Sequence, residues 1–114
     1  MSKTGHWAQG ELNRALELLA AAPEDQLAHL RSIGCEQAVD ELALELDDIF
    51  PEGGPAEGVA LTAGQLKSVQ EVQAKLVAMS GQENEELWQP EALTSRPEWA
   101  EVRTAASRAL AALK

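Results

Sequence analysis

The stretch LTAGQLKSVQEVQAKLVAMSG, residues 61–81, decides the fold. Thr62 stands just before a helical run and Gln65 three residues on, the spacing at which each side chain takes one of the amides that a helix start leaves unpaired. Leu61 and Leu66 flank them as the hydrophobic staple. Leu66, Val69, Val72, Leu76 and Met79 then recur at three and four residues, the period of a helix that buries one stripe, and Gly81 is a natural stop. The segment predicts one sharply bounded amphipathic helix.

Moving toward the N-terminus, PEGGPAEGVA (51–60) holds three Gly and two Pro in ten residues and cannot keep regular structure. A connection this long in a small domain is mobile or functional, and residues 51–61 are expected to form a mobile loop. Before it, DELALELDDIFPEGG (40–54) interleaves six carboxylates with five large apolar side chains. Val39, Leu42, Leu46 and Ile49 follow a 3-4-3 spacing that predicts a helix over 36–50, ended by Pro51. PEDQLAHLRSIG (23–34) reads as a shorter helix. Pro23 suits its first turn, Glu24 and Asp25 suit its positive end, Gly34 suits a left-handed stop, and Leu27, Leu30 and Ile33 are expected to face inward. A first helix over 7–22 carries Leu12, Ala15, Leu16 and Leu19, and residues 1–5 are expected to be disordered.

Toward the C-terminus, QENEELWQPEAL (82–93) is too short and interrupted for a full helix, so one or two helical turns are expected, with Leu87, Trp88 and Leu93 packing somewhere. Ser95 or Arg96 caps the last helix, Ser95 and Glu98 having capping-box spacing while Pro97 disfavours a helical Arg96. Its stripe is Trp99, Val102, Ala106, Ala109 or Leu110, and Leu113. No alternating strand pattern or repeat appears. The fold class is all-α: one domain over 1–114, a small bundle of about four longer helices plus short helical turns. A chain of 114 residues buries about two thirds of its unfolded surface, enough for one core.

Nineteen acidic against nine basic residues leave a net charge of −10, which repels phosphate backbones and anionic membranes and attracts a basic protein. The same charge also keeps a small protein soluble. Cys35 is alone, so no intrachain disulfide forms and a reducing compartment fits. MSKTGHWAQGELNRAL lacks an apolar run of signal-peptide length, and no window approaches the ~20 apolar residues of a membrane span. A cytoplasmic protein is expected.

Between Arg31 and Lys67 lie eight acids and no Lys or Arg. At 100° per residue Glu41, Glu45, Asp48 and Glu52 share one stripe, Asp40 and Asp47 another. Ions, the last helix with Arg96, Arg103, Arg108 and Lys114, or a partner must balance them. Glu41, Glu45, Asp48 and Glu52 are the candidate partner-binding residues, together with Trp88, which lies between acids and a proline. Trp7 and Trp99 read as core or staple residues. Chemistry finds less support. No Glu-x-x-His motif or EF-hand spacing occurs, one cysteine makes no zinc site, and Gly53, Gly54 and Gly58 follow no strand and precede no P-loop lysine. His29 and Cys35 are separated by the Gly34 break, a weak nucleophile signal, and Cys35 reads as a small buried residue. No catalytic, cofactor or metal residue is therefore assigned.

The segments DELALELDD, LVAMSG, ELWQPEAL and EWAEVRTAASRALAAL, within about residues 39–113, resemble small acidic helical proteins of unknown function from high-GC Gram-positive bacteria. That resemblance implies no activity, cofactor or site residue. The reading from the residues is a non-enzymatic module that docks a basic protein by charge steering, as immunity proteins, antitoxins and adaptors do. The rivals are a small-molecule binder or small enzyme with a pocket between helices, and a structural homodimer along an apolar seam.

Overall fold

The computed structural model describes residues 2–34, 39–49 and 61–113, and of residues 2–9 and 49 the backbone only. Its elements are α1 (Ser2–Ala20), α2 (Pro23–Ser32), α3 (Glu41–Ile49), α4 (Ala63–Ala78), a 3-10 helix (Gln82–Trp88), α5 (Ala92–Ser95) and α6 (Pro97–Leu113). Among the described residues there is no strand, and the fold is an all-α small bundle. The expectations for Cys35, for the loop at 51–60, for Glu52 and for the side chains of Trp7 and Ile49 lie outside the described residues.

The start of α4 has the form its sequence predicts. Gln65 N–H donates to Thr62 Oγ1 at 3.2 Å, and Thr62 N–H donates back to Gln65 Oε1 at 2.9 Å. Gln65 also reaches outward, Nε2 donating to the Ala112 carbonyl at 3.0 Å, which ties the start of α4 to the end of α6 and sets the two helices antiparallel. At the other end Asn84 Nδ2 donates to the Ala78 and Ser80 carbonyls at 3.3 and 3.0 Å, taking acceptors that a helix end leaves open.

The core sits around α6, which packs most extensively against α4 and α1. Its inward face is Trp99, Val102, Ala105, Ala106 and Ala109, all buried. Three alanines on that face let neighbouring helices come close, because interaxial distance follows the side chains at the contact. Into the same core project Leu12, Leu16 and Leu19 of α1, Leu42 and Leu46 of α3, Val69, Val72 and Leu76 of α4, and Leu87 and Leu93 from the linking segment. The period-3.6 pattern picks out those of α1, α3 and α4 because each of these helices has one stripe to hide, whereas Leu87 and Leu93 are large apolar groups of an interrupted segment.

Several expectations are corrected at helix ends. The first helix ends at Ala20, two residues short of the expected 22, and its backbone begins at Ser2. Ile33 does not face inward. It is 45% exposed, since α2 stops at Ser32 and the chain turns through Ile33 (φ −99°, ψ 7°) to Gly34 at φ +73°, a left-handed conformation suited to glycine. What faces inward on α2 beside Leu30 is Gln26, fully buried. Its Nε2 donates to the Leu18 and Leu19 carbonyls at 3.1 and 3.2 Å at the end of α1, where the Leu18 carbonyl also accepts from the Ala21 N–H at 3.2 Å. At α6 the second of the two expected residues holds the cap position: Arg96 is extended (φ −98°, ψ 131°), the conformation favoured before a proline, while the Ser95 hydroxyl donates to the Glu91 carbonyl at 2.9 Å. Pro97 then occupies the first helical position, where its missing N–H is harmless.

Candidate interaction surface

α3 packs on α1 and, less extensively, on α4, so a large part of its circumference remains outward. Its flank toward α2 carries the predicted stripe. Glu45 Oε2 lies 2.9 Å from His29 Nε2, both side chains about a third exposed (39% and 33%), and this bond ties α3 to α2. Glu41 is half-buried and Asp48 exposed, while Glu52 lies outside the described residues. The predicted stripe thus contains one acid already engaged within the fold. Its partner is His29 of α2 and not the last helix: Arg103 Nη1 donates to the Leu93 carbonyl at 3.0 Å, and Arg108 lies in a cleft of α4 and α6. Asp40, Glu41, Asp47 and Asp48 form no ion pair among the described residues.

Trp88 is half-buried. Its Nε1–H donates to the Met79 carbonyl at 2.8 Å, and its ring meets Trp99 edge-on, centroids 5.3 Å apart and planes at 85°, a favoured aromatic arrangement. Trp99, fully buried, donates its own Nε1–H to the Leu87 carbonyl at 2.6 Å. The two tryptophans therefore pin the 3-10 helix, which is interrupted at Asn84 (φ −109°, ψ 16°), onto α4 and α6. Trp88 also lines a groove of about 160 Å³ between α3 and α4. Ala43, Leu44, Leu46 and Asp47 form one wall, and Gln73, Leu76, Val77 and Ser80 the other.

Leu44 is 43% exposed and Val77 54%, facing each other across this groove. Neither belongs to a buried stripe. The signal was nonetheless present for Leu44: at 100° per residue it falls nearly opposite Leu42 and Leu46, on the row Asp40, Leu44, Asp47, so a large apolar side chain stands in the middle of the acidic face. Val77 sits one residue off the buried position Leu76.

A second, larger concavity of about 510 Å³ lies between α4, the 3-10 helix and α6. Met79, Leu87, Ala74 and Ala78 supply its apolar lining, and Glu71, Lys75, Glu98, Glu101 and Arg108 its charges. Lys75 Nζ is 3.3 Å from Glu101 Oε1, and Glu98 Oε1 is 3.6 Å from Arg96 Nε, so several of these charges already face partners. Among the described residues no hydroxyl, thiol or imidazole lines the cleft. Among the described residues no group of three or more His, Cys, Asp or Glu side chains could hold a metal ion, and no helix is long and apolar enough to cross a membrane. No family model, no curated protein and no solved structure matches the chain.

Proposed function

We propose that this protein is a non-enzymatic, cytoplasmic interaction module that takes a basic protein partner on the outward side of α3, in the manner of an immunity protein, antitoxin or adaptor. The observation that carries the reading is the set Asp40, Glu41, Asp47 and Asp48, none of them ion-paired among the described residues, on a helix whose Asp47 lines an open apolar groove. Folding accounts for Asp40, which directly precedes α3, and for Glu41 in its first turn, where carboxylates are favourable, but gives no such reason for Asp47 and Asp48 near the other end of the helix. A net charge of −10 extends the local field, disfavouring nucleic acid and anionic membranes and raising the encounter rate with a basic surface.

The test uses the intact protein as bait in lysate of its native host, beside a variant carrying Asp40→Asn, Glu41→Gln, Asp47→Asn and Asp48→Asn. The wild type retains a basic protein whose association slows as salt rises, because steering is screened beyond about 8–10 Å at physiological ionic strength. The variant folds and loses that protein. Recovery of the same partner at the same affinity by the variant would sink the proposal.

The cleft between α4 and α6 favours a second reading, a small-molecule binder. Its volume of about 510 Å³ falls within the roughly 300–1,000 Å³ of ligand sites, with an apolar lining and charged walls. A metabolite that raises the melting temperature of the wild type but not of Arg108→Ala would support it.

A further inference from the structure

The acidic face and the groove beside it are two halves of one surface. Asp40, Leu44 and Asp47 stand at i, i+4 and i+7, so a large apolar side chain is bracketed by a carboxylate one turn to either side. Asp47 itself lines the groove. Across from it, the α4 wall presents Val77 among the neutral side chains Gln73 and Ser80, and Trp88 lies at the same groove with its N–H already given to the Met79 carbonyl. Trp88 can therefore offer a ring surface to a visitor but no hydrogen bond. We infer that this groove seats an amphipathic helix of the basic partner, its apolar side chains between Leu44, Val77 and Trp88 and its Lys or Arg residues on Asp40 and Asp47.

The observations select this occupant over others. About 160 Å³ lies below the usual range of small-ligand sites, roughly 300–1,000 Å³, but admits protruding side chains. Two side-by-side helices with exposed apolar residues on both walls are the geometry of helix-in-groove recognition, read by anchors at i, i+3 or i+4, and i+7. Charge fixes the rest. A carboxylate rim on the α3 wall against a neutral α4 wall asks for basic residues along one edge of the visiting helix. A second copy of this chain would bring another net charge of −10 against that rim. The inference rests on the proposed function and names the chemistry of its partner.

The test needs no identified partner. The probe is a synthetic peptide of Leu and Lys, about 15 residues long so that it can form helix, with Leu at i, i+3, i+4 and i+7. It is titrated at physiological salt into the isotope-labelled full-length protein and followed by amide and indole N–H shifts. Two controls accompany it: a scrambled peptide of equal composition without the stripe, and a peptide with Glu in place of Lys. The expected result is a shift of Leu44, Asp47, Val77 and the Trp88 indole, with about tenfold weaker binding for Leu44→Ser with Val77→Ser, for Asp40→Asn with Asp47→Asn, and for both control peptides. Both double variants alter exposed or groove-lining side chains, so a folded spectrum is expected before the titration.

Each other pattern overturns the inference in its own way. If the scrambled peptide binds equally and only the Asn variant weakens, charge alone recruits the partner, and the groove is lost while the proposed function stands. If the Ser variant weakens binding but the Asn variant does not, the acidic reading falls for both. Shifts confined to the cleft of α4 and α6, or no binding by the probe, remove the groove. Dilution-dependent groove shifts together with a dimer in sedimentation give the groove to a second copy. Nuclear Overhauser contacts from the groove to residues 50–60 in the free protein give it to this chain.

Discussion

α6 and α3 meet the same core on unequal terms. α6 lies against α1 and α4 together and buries Trp99, Val102, Ala105, Ala106 and Ala109. α3 rests mainly on α1, buries Leu42 and Leu46 within its helical span, and turns Leu44, Asp47 and Asp48 outward. The central helix meets two neighbours at once and hides an indole between them, while its opposite side, with Ala100, Glu101, Thr104, Ser107 and Arg108, stays exposed. The flanking helix keeps a face on which charge and exposed apolar surface can be arranged with little effect on folding. Under the proposed function, stability and recognition lie on different helices, and substitutions should separate them.

The largest effect belongs to the central side. Trp99→Ala removes a fully buried indole, its bond to the Leu87 carbonyl and its edge contact with Trp88, and should destabilise the fold by about 3–5 kcal/mol. Chemical denaturation measures it, and a loss under about 1 kcal/mol would mean that the core does not centre on α6.

Gln26→Ala comes next, at about 2 kcal/mol, because it empties a fully buried site and takes the side-chain donor from the buried Leu19 carbonyl, while the Leu18 carbonyl keeps the Ala21 N–H. Faster hydrogen exchange at the α1–α2 junction should accompany the shifted denaturation midpoint. A midpoint equal to that of the wild type would show that water takes over the Leu19 acceptor.

Thr62→Ala should lower stability by about 1 kcal/mol through loss of the cap to the Gln65 amide. An unchanged midpoint there would place the working start of α4 elsewhere.

The smallest effect is expected on α3. Neutralising Asp40, Glu41, Asp47 and Asp48 should leave stability within about 0.5 kcal/mol, since Asn caps a helix start about as well as Asp, Gln has nearly the helix propensity of Glu, and Asp47 and Asp48 are exposed. A thermal melt decides it: substantial destabilisation would show that these acids are held by the fold, and the contrast between α3 and α6 would collapse.

Much of the bundle was legible along the chain. The capping box at Thr62 and Gln65, the stripes Leu12–Leu19 and Val69–Leu76, and the stop at Gly34 are all found as the sequence predicts. Where the reading failed, a residue's neighbours in space were not its neighbours in sequence. Ile33 fits a helical stripe by spacing, yet α2 has already ended. Of the two residues expected at the α6 cap, Ser95 has the spacing from Glu98 but turns back to Glu91 once α5 forms before it, and Arg96 takes the position. The candidate surface was half legible: the acids were plain, but the groove needed α4 beside α3.

The sequence by itself determined the helical class, the better-marked helix starts and stops, the core stripes and the charge of −10. These follow from interactions within about four residues, the reach of a helical hydrogen bond or a capping side chain, and from side-chain composition. Only the tertiary structure decided that Gln26 would close the end of α1, that His29 would take Glu45, and that Trp88 would lock against Trp99 and Met79. It alone set Leu44 across from Val77. Each of these joins groups from different segments whose meeting depends on how whole helices pack, and no local period records the angle at which two helices cross.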